Sequence, residues 1–410
     1  MKQSKITLLT SIGAGLEYYD LIIYGLLANF IGHQFFPSSN HVASLFATFG
    51  VFALSNIIRP LGGVILGVFG DRFGRKKIFT NTLLWMAFAT FTMGIIPSFA
   101  KIGLVATILF SLCRLIQGLV FGAEFPGAVT LLSEHIDKEK HGIHFGFMIS
   151  TVSIGVSLGS FVTWILTKIL TESEMMAWGF RLPFLLGGSL AIVGFYIRRR
   201  LPETPKFLAL QKSRAVITPT VIKSHLGQVF NVIGILLFPA CLVTFKLIFP
   251  VYLRDFYHFD LSDIYLATTL GYIWSAVLKP IFGWISDKIG RKVIIIVAGI
   301  IVIIGFLPIF LWLQSGNRLA LFSFLLFAQT TTASMAASYF VLLPQAFQTV
   351  IRYTGVGFSY NVAYTIAALT PLGVNYIYGI LKNPMYLVWA FISLAALTVM
   401  STLIFKVKED

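Results

Sequence analysis

Long apolar runs dominate this chain, separated by short polar clusters, Gly/Pro turns and groups of charges. They fall near residues 7–32, 42–69, 78–97, 103–133, 145–168, 180–200, 228–253, 264–286, 292–313, 319–344, 354–380 and 385–406. Each is long enough for an α-helix to cross a hydrocarbon core of roughly 30 Å. None shows the period-two alternation of a membrane barrel strand, so the pattern predicts helices. The expected fold class is an all-α polytopic membrane protein with twelve transmembrane helices. An even number of spans places both termini on one side of the membrane.

A second pattern lies in the loops. Gly67-Val68-Phe69-Gly70-Asp71-Arg72-Phe73-Gly74-Arg75-Lys76-Lys77 joins the second run to the third. A weaker copy, Gly283-Trp284-Ile285-Ser286-Asp287-Lys288-Ile289-Gly290-Arg291-Lys292, joins the eighth to the ninth. The repeat predicts two related, pseudo-symmetric six-helix bundles, residues 1–200 and 228–410, separated by a polar linker at 201–227.

Composition agrees with the span pattern: 57% of the 410 residues are hydrophobic and 11% charged. In a soluble protein the net charge of +15 would suggest nucleic acid as partner; here it follows from topology. Loops on the side of the termini hold nearly all the Lys and Arg, among them Arg72, Arg75, Lys76, Lys77, Arg198, Arg199, Arg200, Arg214, Lys223, Arg291 and Lys408. The opposite loops hold only Lys101, Lys168, Arg254, Arg318 and Lys382. The positive-inside rule therefore predicts cytoplasmic termini, with the lipid bilayer as partner and no nucleic acid. Cys113 and Cys241 lie in different apolar runs and are expected to pack rather than pair. No cleavable signal peptide is expected, because the opening residues run into a span carrying Glu17 and Asp20.

Ionisable residues inside these spans are the candidates for function, since an Arg, Lys or Asp at a helix centre costs about 2.5–3.5 kcal/mol to insert. Glu17, Asp20 and Tyr24 share one helical stripe. Arg59 precedes Asp71 by 12 residues, which sets it roughly 18 Å along its helix. Arg114 falls near the middle of the fourth run, and Lys246 and Lys279 enter the seventh and eighth. A carboxylate near an arginine can be tipped by the arrival of a proton or a charged substrate. Asp20, Glu17 and Arg114 are accordingly the proton-coupling candidates; the competing reading is that they only tie helices together. Tyr24, Arg59, Gln117, Lys246, Trp274, Tyr339, Asn361 and Tyr364 are candidates to line a substrate path, against the reading that such side chains merely pack or bond between helices. Arg59, Arg114, Lys246 and Lys279 outnumber Glu17, Asp20 and Glu124 by one, which favours a substrate bearing a carboxylate. No nucleophile–base–orienter set, metal-ligand spacing or phosphate-binding loop is present in the sequence. An enzyme is not expected, and neither is a cofactor or a metal.

The loop Gly67…Lys77 resembles the signature of the major facilitator superfamily. Glu17-Tyr18-Tyr19-Asp20, Ile58-Arg59-Pro60-Leu61-Gly62-Gly63, Arg114-Leu115-Ile116-Gln117-Gly118, Gly122-Ala123-Glu124, Trp178-Gly179-Phe180-Arg181 and Pro202-Glu203-Thr204-Pro205 together resemble its metabolite–proton symporter branch, which includes proline/betaine and 2-oxoglutarate carriers. That resemblance implies a bacterial inner-membrane protein, working as a monomer, that takes up a small-molecule substrate together with a proton by alternating access. The substrate would be a zwitterion of the proline or betaine type or a 2-oxo or dicarboxylic acid. Proton-driven efflux of an amphipathic or siderophore-like compound is the alternative, and a non-transporting receptor or scaffold is a third. The loop residues Asp71 and Arg75, with Glu134, and their counterparts Asp287 and Arg291 are the gating candidates: Asp71 would cap a facing helix, the eleventh, and Arg75 would reach Glu134. One departure stands at the fifth span, where Lys140-His141-Gly142 replaces the family's usual basic residue followed by Arg-Gly.

Overall fold

A computed structural model describes residues 2–38, 41–212 and 225–407. Twelve long helices run through the described residues: α1 (Gln3–Leu26), α2 (His41–Phe73), α3 (Arg75–Ile95), α4 (Leu104–His135), α5 (His141–Ile169), α6 (Arg181–Arg198), α7 (Leu226–Asp255), α8 (Leu261–Ile289), α9 (Arg291–Leu313), α10 (Arg318–Gln345), α11 (Arg352–Ala367) and α12 (Met385–Ile404). Among the described residues, ten segments are long and apolar enough to cross a membrane, and α8 and α11 are the two of these helices without one.

Two spans are less continuous than their hydrophobicity predicts. The first breaks at Leu27 and resumes as Ala28–Phe35. The eleventh stops at Ala367 and resumes as Thr370–Tyr376, then winds into a π-helical turn to Leu381. Pro371 accounts for the second break: it has no N–H to give the preceding turn, and it sits in the first turn of the new helix. Part of the expected linker is helical, Pro205–Lys212. Residues 213–224, with Arg214 and Lys223, lie outside the described residues, as does Lys408.

The chain divides into two compact units, Met1–His135 with Thr151–Ile217 and Ile136–Ser150 with Thr218–Asp410. The cut falls inside the linker, and the first turns of α5 group with the second unit. Within unit 1, α2 packs on α4, α3 on α6 and α4, and α1 on α6. Unit 2 repeats these pairings six helices later: α8 on α10, α9 on α12 and α10, and α7 on α12. The internal repeat is thus a repeat of packing as well as of loop sequence. It reaches the backbone, because Gly74 and Gly290 start α3 and α9 from the same left-handed conformation, φ 117° and 103°, which a side chain would resist.

Lipid gives helices little hydrophobic reason to associate, so contact depends on close packing. Gly118 and Gly122, one turn apart on α4, provide it against α2. A Cβ at Gly118 would stand 2.3 Å from the Ser55 carbonyl oxygen, and one at Gly122 would stand 2.0 Å from that of Arg59. These two backbones touch, and the contact carries Arg59 and Arg114 into the same bundle.

A buried polar line in unit 1 and a lone lysine in unit 2

The α1 stripe turns inward: Glu17 is 1% exposed, Asp20 5% and Tyr24 0%. From α3, Thr90 donates to Asp20 Oδ2 at 2.5 Å. Gln117 of α4 donates through Nε2 to Thr90 Oγ1 at 2.7 Å. Arg114, one turn earlier on α4, donates through Nη1 to Gln117 Oε1 at 2.8 Å. Three hydrogen bonds thus run from Arg114 to Asp20, each donating toward the carboxylate. The Arg114 guanidinium also stacks 4.3 Å from the ring centre of Tyr24, whose hydroxyl donates to the Thr48 carbonyl at 2.8 Å. Arg59 from α2 lies over Phe121, 3.7 Å from its centre.

Glu17, Asp20, Arg59, Arg114 and Gln117 line one small cavity of about 10 Å³. Asp20 Oδ1 and both Glu17 oxygens accept no hydrogen bond from the described residues. Of the sequence-derived candidates for a substrate path, Arg59 and Gln117 thus lie beside Glu17, Asp20 and Arg114, and Tyr24 lies against Arg114. Thr90 was absent from the candidates; a threonine within an apolar run carries no signal of its own.

A second buried cluster in unit 1 joins α4 to α6. Arg198 pairs with Glu124, which also accepts from Thr82 Oγ1, and donates to the Phe79 carbonyl at 3.1 Å. Its guanidinium covers the Phe79 ring at 3.7 Å. A Cβ on Gly13 of α1 would come within 1.5 Å of Arg198 Nη2, so only glycine leaves room. This corrects the sequence expectation, which counted Arg198 with Arg199 and Arg200 as a loop cation. Arg198 is fully buried, because Glu124 inside the bundle needs a partner.

Unit 2 is arranged differently. Lys246 on α7 is 7% exposed, and its Nζ donates to Gln329 Oε1 and Thr332 Oγ1 of α10, both at 2.9 Å. Lys279 Nζ lies 3.3 Å from the Ile149 carbonyl. Trp274, 45% exposed, donates to Thr330 Oγ1 at 2.9 Å. Tyr339 and Tyr364 end a ladder of rings through Phe340 and Tyr360, with centroids 4.4, 6.1 and 4.4 Å apart. Asn361 Nδ2 donates to the Gly357 carbonyl one turn back, at 2.6 Å. Gln329 and Thr332 were not among the candidates, although the polar run Gln329-Thr330-Thr331-Thr332 inside an apolar span marks them.

The two loops form different ion clusters. In unit 1, Arg75 pairs with Glu134 and lies 3.4 Å from Asp71 Oδ1, all three being buried. The Arg75–Glu134 pair forms despite the departure at Lys140-His141-Gly142. Glu203 caps the start of α3, accepting from the Lys76 N–H at 3.1 and 3.2 Å and from Thr204 N–H at 2.9 Å, which gives the Pro202-Glu203-Thr204-Pro205 segment a structural task. In unit 2, Asp287 accepts from the Gly142 and Ile143 N–H groups at 2.7 and 2.9 Å and so caps the N-terminus of α5. Arg291 donates to Asp287 at 2.7 Å and to the Lys138 carbonyl at 2.6 Å.

Comparison with known proteins agrees on the kind of molecule. The family model of the Major Facilitator Superfamily matches residues 10–371. A protein of Staphylococcus aureus (strain COL) described as a putative proline/betaine transporter is 33% identical over 384 residues, covering 90% of this chain and 81% of its own. The proline/betaine transporter of Salmonella typhimurium is 30% identical over 388 residues, covering 90% of this chain and 77% of its own. Among solved structures, the proton:xylose symporter XylE superposes with a TM-score of 0.81 at 14% identity, covering 98% of this chain and 94% of that one.

Proposed function

The chain belongs to the major facilitator superfamily, whose members are transporters rather than enzymes, and from that premise we propose that it imports a small carboxylate-bearing metabolite together with a proton by alternating access of its two units. The observation that carries this reading is the one-way line of hydrogen bonds from Arg114 through Gln117 and Thr90 to Asp20. With Asp20 ionised, the line is satisfied and Arg114 is held by the Gln117 carbonyl oxygen. When the proton sits on Asp20 Oδ2, the acid becomes a donor to Thr90 Oγ1, and the threonine then gives its own hydrogen to Gln117. The amide has to reverse, and its NH2 then faces the guanidinium, donor against donor. Arg114 loses its acceptor and becomes available to a carboxylate of the substrate. Protonation and substrate binding are thereby linked without direct contact between Asp20 and the substrate.

The relatives named as proline/betaine transporters support a small carboxylate-bearing substrate. The clusters at Asp71, Arg75 and Glu134 and at Asp287 and Arg291 act as the inner latch, opening and re-forming as the units alternate. The excess of Lys and Arg in the loops on that side supports cytoplasmic termini in a bacterial inner membrane, and each chain transports as a monomer. The deciding measurement is uptake into proteoliposomes under an imposed pH gradient. Asp20→Asn should abolish accumulation while sparing counterflow of the same substrate. Accumulation by the unaltered protein that survives an uncoupler overturns proton coupling.

A further inference from the structure

Inside unit 2 the buried ammonium of Lys246 has no counter-charge among the described residues. The carboxylates of this unit are confined to helix ends and the chain terminus: Asp137 and Glu139 ahead of α5, Asp255 ending α7, Asp260 and Asp263 opening α8, Asp287 closing it, then Glu409 and Asp410. No Asp or Glu occurs between Asp287 and Glu409, so α9 to α12 offer none. Lys246 lies nine residues before the end of α7, about 13 Å along the helix from that end.

Its two hydrogen-bond partners are neutral, and the threonine is committed as an acceptor. Thr332 Oγ1 gives its own hydrogen to the Ala328 carbonyl at 2.5 Å, which leaves a lone pair for the ammonium. Gln329 is backed by Gly271 of α8, where a Cβ would stand 3.1 Å from Gln329 Cγ. An ammonium has three hydrogens, and the described residues take two of them. A cation so buried, hydrogen-bonded but unpaired, is costly to keep. The cost is met when the missing charge arrives with a ligand.

Among the described residues, unit 1 buries five carboxylates, Glu17, Asp20, Asp71, Glu124 and Glu134, against four arginines, Arg59, Arg75, Arg114 and Arg198, an excess of one that does not balance the three buried cations of unit 2, Lys246, Lys279 and Arg352. The buried charges therefore sum to a positive value, and a proton on Asp20 makes it larger. A zwitterion such as proline or betaine, the ligands in the names of the relatives, brings no net charge to offset this. We infer that the substrate is a small organic acid of net negative charge and that one of its carboxylates sits on Lys246, in the seat formed with Gln329 and Thr332. This rests on the transport reading above and names the substrate class for it.

The test uses the purified full chain in detergent, with succinate and pyruvate as anionic probes and proline and glycine betaine as zwitterionic ones. Binding is read by thermal shift and titration calorimetry. The anions should bind and the zwitterions should not compete with them. Lys246→Met should raise the Kd for the anion about tenfold or more, Lys246→Arg should recover part of the loss, and ligand-free Lys246→Met should melt no lower than the parent. A lysine with a structural role only would lower that melting point and leave the Kd alone, which overturns the inference. Binding of proline or betaine in preference to both anions by the unaltered protein also overturns it, whether or not the variants fold. Gradient-driven uptake of a zwitterion alone refutes the anionic substrate and leaves symport standing, whereas Lys246-dependent anion binding without gradient-driven uptake does the reverse.

Discussion

The two units share one packing plan and treat buried charge in opposite ways. Unit 1 links most of its buried ions internally: Glu124 holds Arg198, Glu134 holds Arg75, and Asp20 is tied to Arg114 through two neutral side chains. Among the described residues, unit 2 holds Lys246 with an amide and a hydroxyl. Burying an ion is expensive in either case, and what differs is where the compensation comes from. A linked set can be rearranged by a single proton, because its members have partners to exchange. An unmatched cation responds to an anion from outside. On the proposed reading, the pseudo-symmetric scaffold carries a proton-sensing half and a half suited to an anionic cargo.

The comparison breaks most severely at the Glu124–Arg198 pair. Truncating one partner of such a pair typically costs about 3–5 kcal/mol, since the other is left buried and alone. Arg198→Met should therefore leave little monodisperse protein after extraction and a steeply lowered melting temperature by static light scattering. The double variant Glu124→Gln with Arg198→Met removes both charges and should recover most of that loss. A double variant no better than the single one would mean that the pair is not what holds α4 to α6. Lys246→Met, which has no counter-charge to orphan, should show no such penalty.

Next in size is the coupling line itself. Gln117→Leu deletes two of its three links, the bond from charged Arg114 being worth about 1.5–3 kcal/mol and the neutral one to Thr90 about 0.5–1.5 kcal/mol. Accumulation under a pH gradient should fall by about tenfold or more, while counterflow at saturating substrate changes little, because Arg114 and Asp20 are still present. Thr90→Val should reproduce this effect. Equal losses in accumulation and counterflow would show that Gln117 holds substrate or structure instead of transmitting the proton.

How much of this could be read from the chain depends on range. Membrane helices announce themselves because every backbone group must be satisfied within the span, and local spacing was sufficient for the Glu17, Asp20, Tyr24 stripe and for Arg114 with Gln117 one turn later. Thr90 joins them only through the register of α3 against α1 and α4, which no local pattern encodes. Arg198 was hidden by its neighbours: in a run of three arginines at a helix end, the one that turns inward is chosen by Glu124 on another helix and by the gap that Gly13 leaves. The break in the eleventh span had its cause in plain view at Pro371, yet hydropathy alone runs through it.

The smallest effects separate the two loops. Glu203 caps the start of α3, and losing a cap of this kind costs about 0.5–2 kcal/mol. Glu203→Ala should lower the melting temperature by a few degrees and leave the transport cycle otherwise intact. Asp287 also caps a helix, but it holds Arg291 at the same time, and Asp71 sits buried beside Arg75 and Glu134. If these aspartates belong to a latch, then Asp71→Ala and Asp287→Ala should each shift the protein toward the inward-open state and speed labelling of a cysteine placed on the cytoplasmic side, at a stability cost no larger than that of Glu203→Ala. Labelling rates that rise equally in all three variants would reduce both aspartates to caps and leave the gate to be found elsewhere. Rates that rise only for Asp71→Ala would place the latch in the loop of unit 1, whose arginine is buried, rather than in the loop of unit 2, whose arginine is partly exposed.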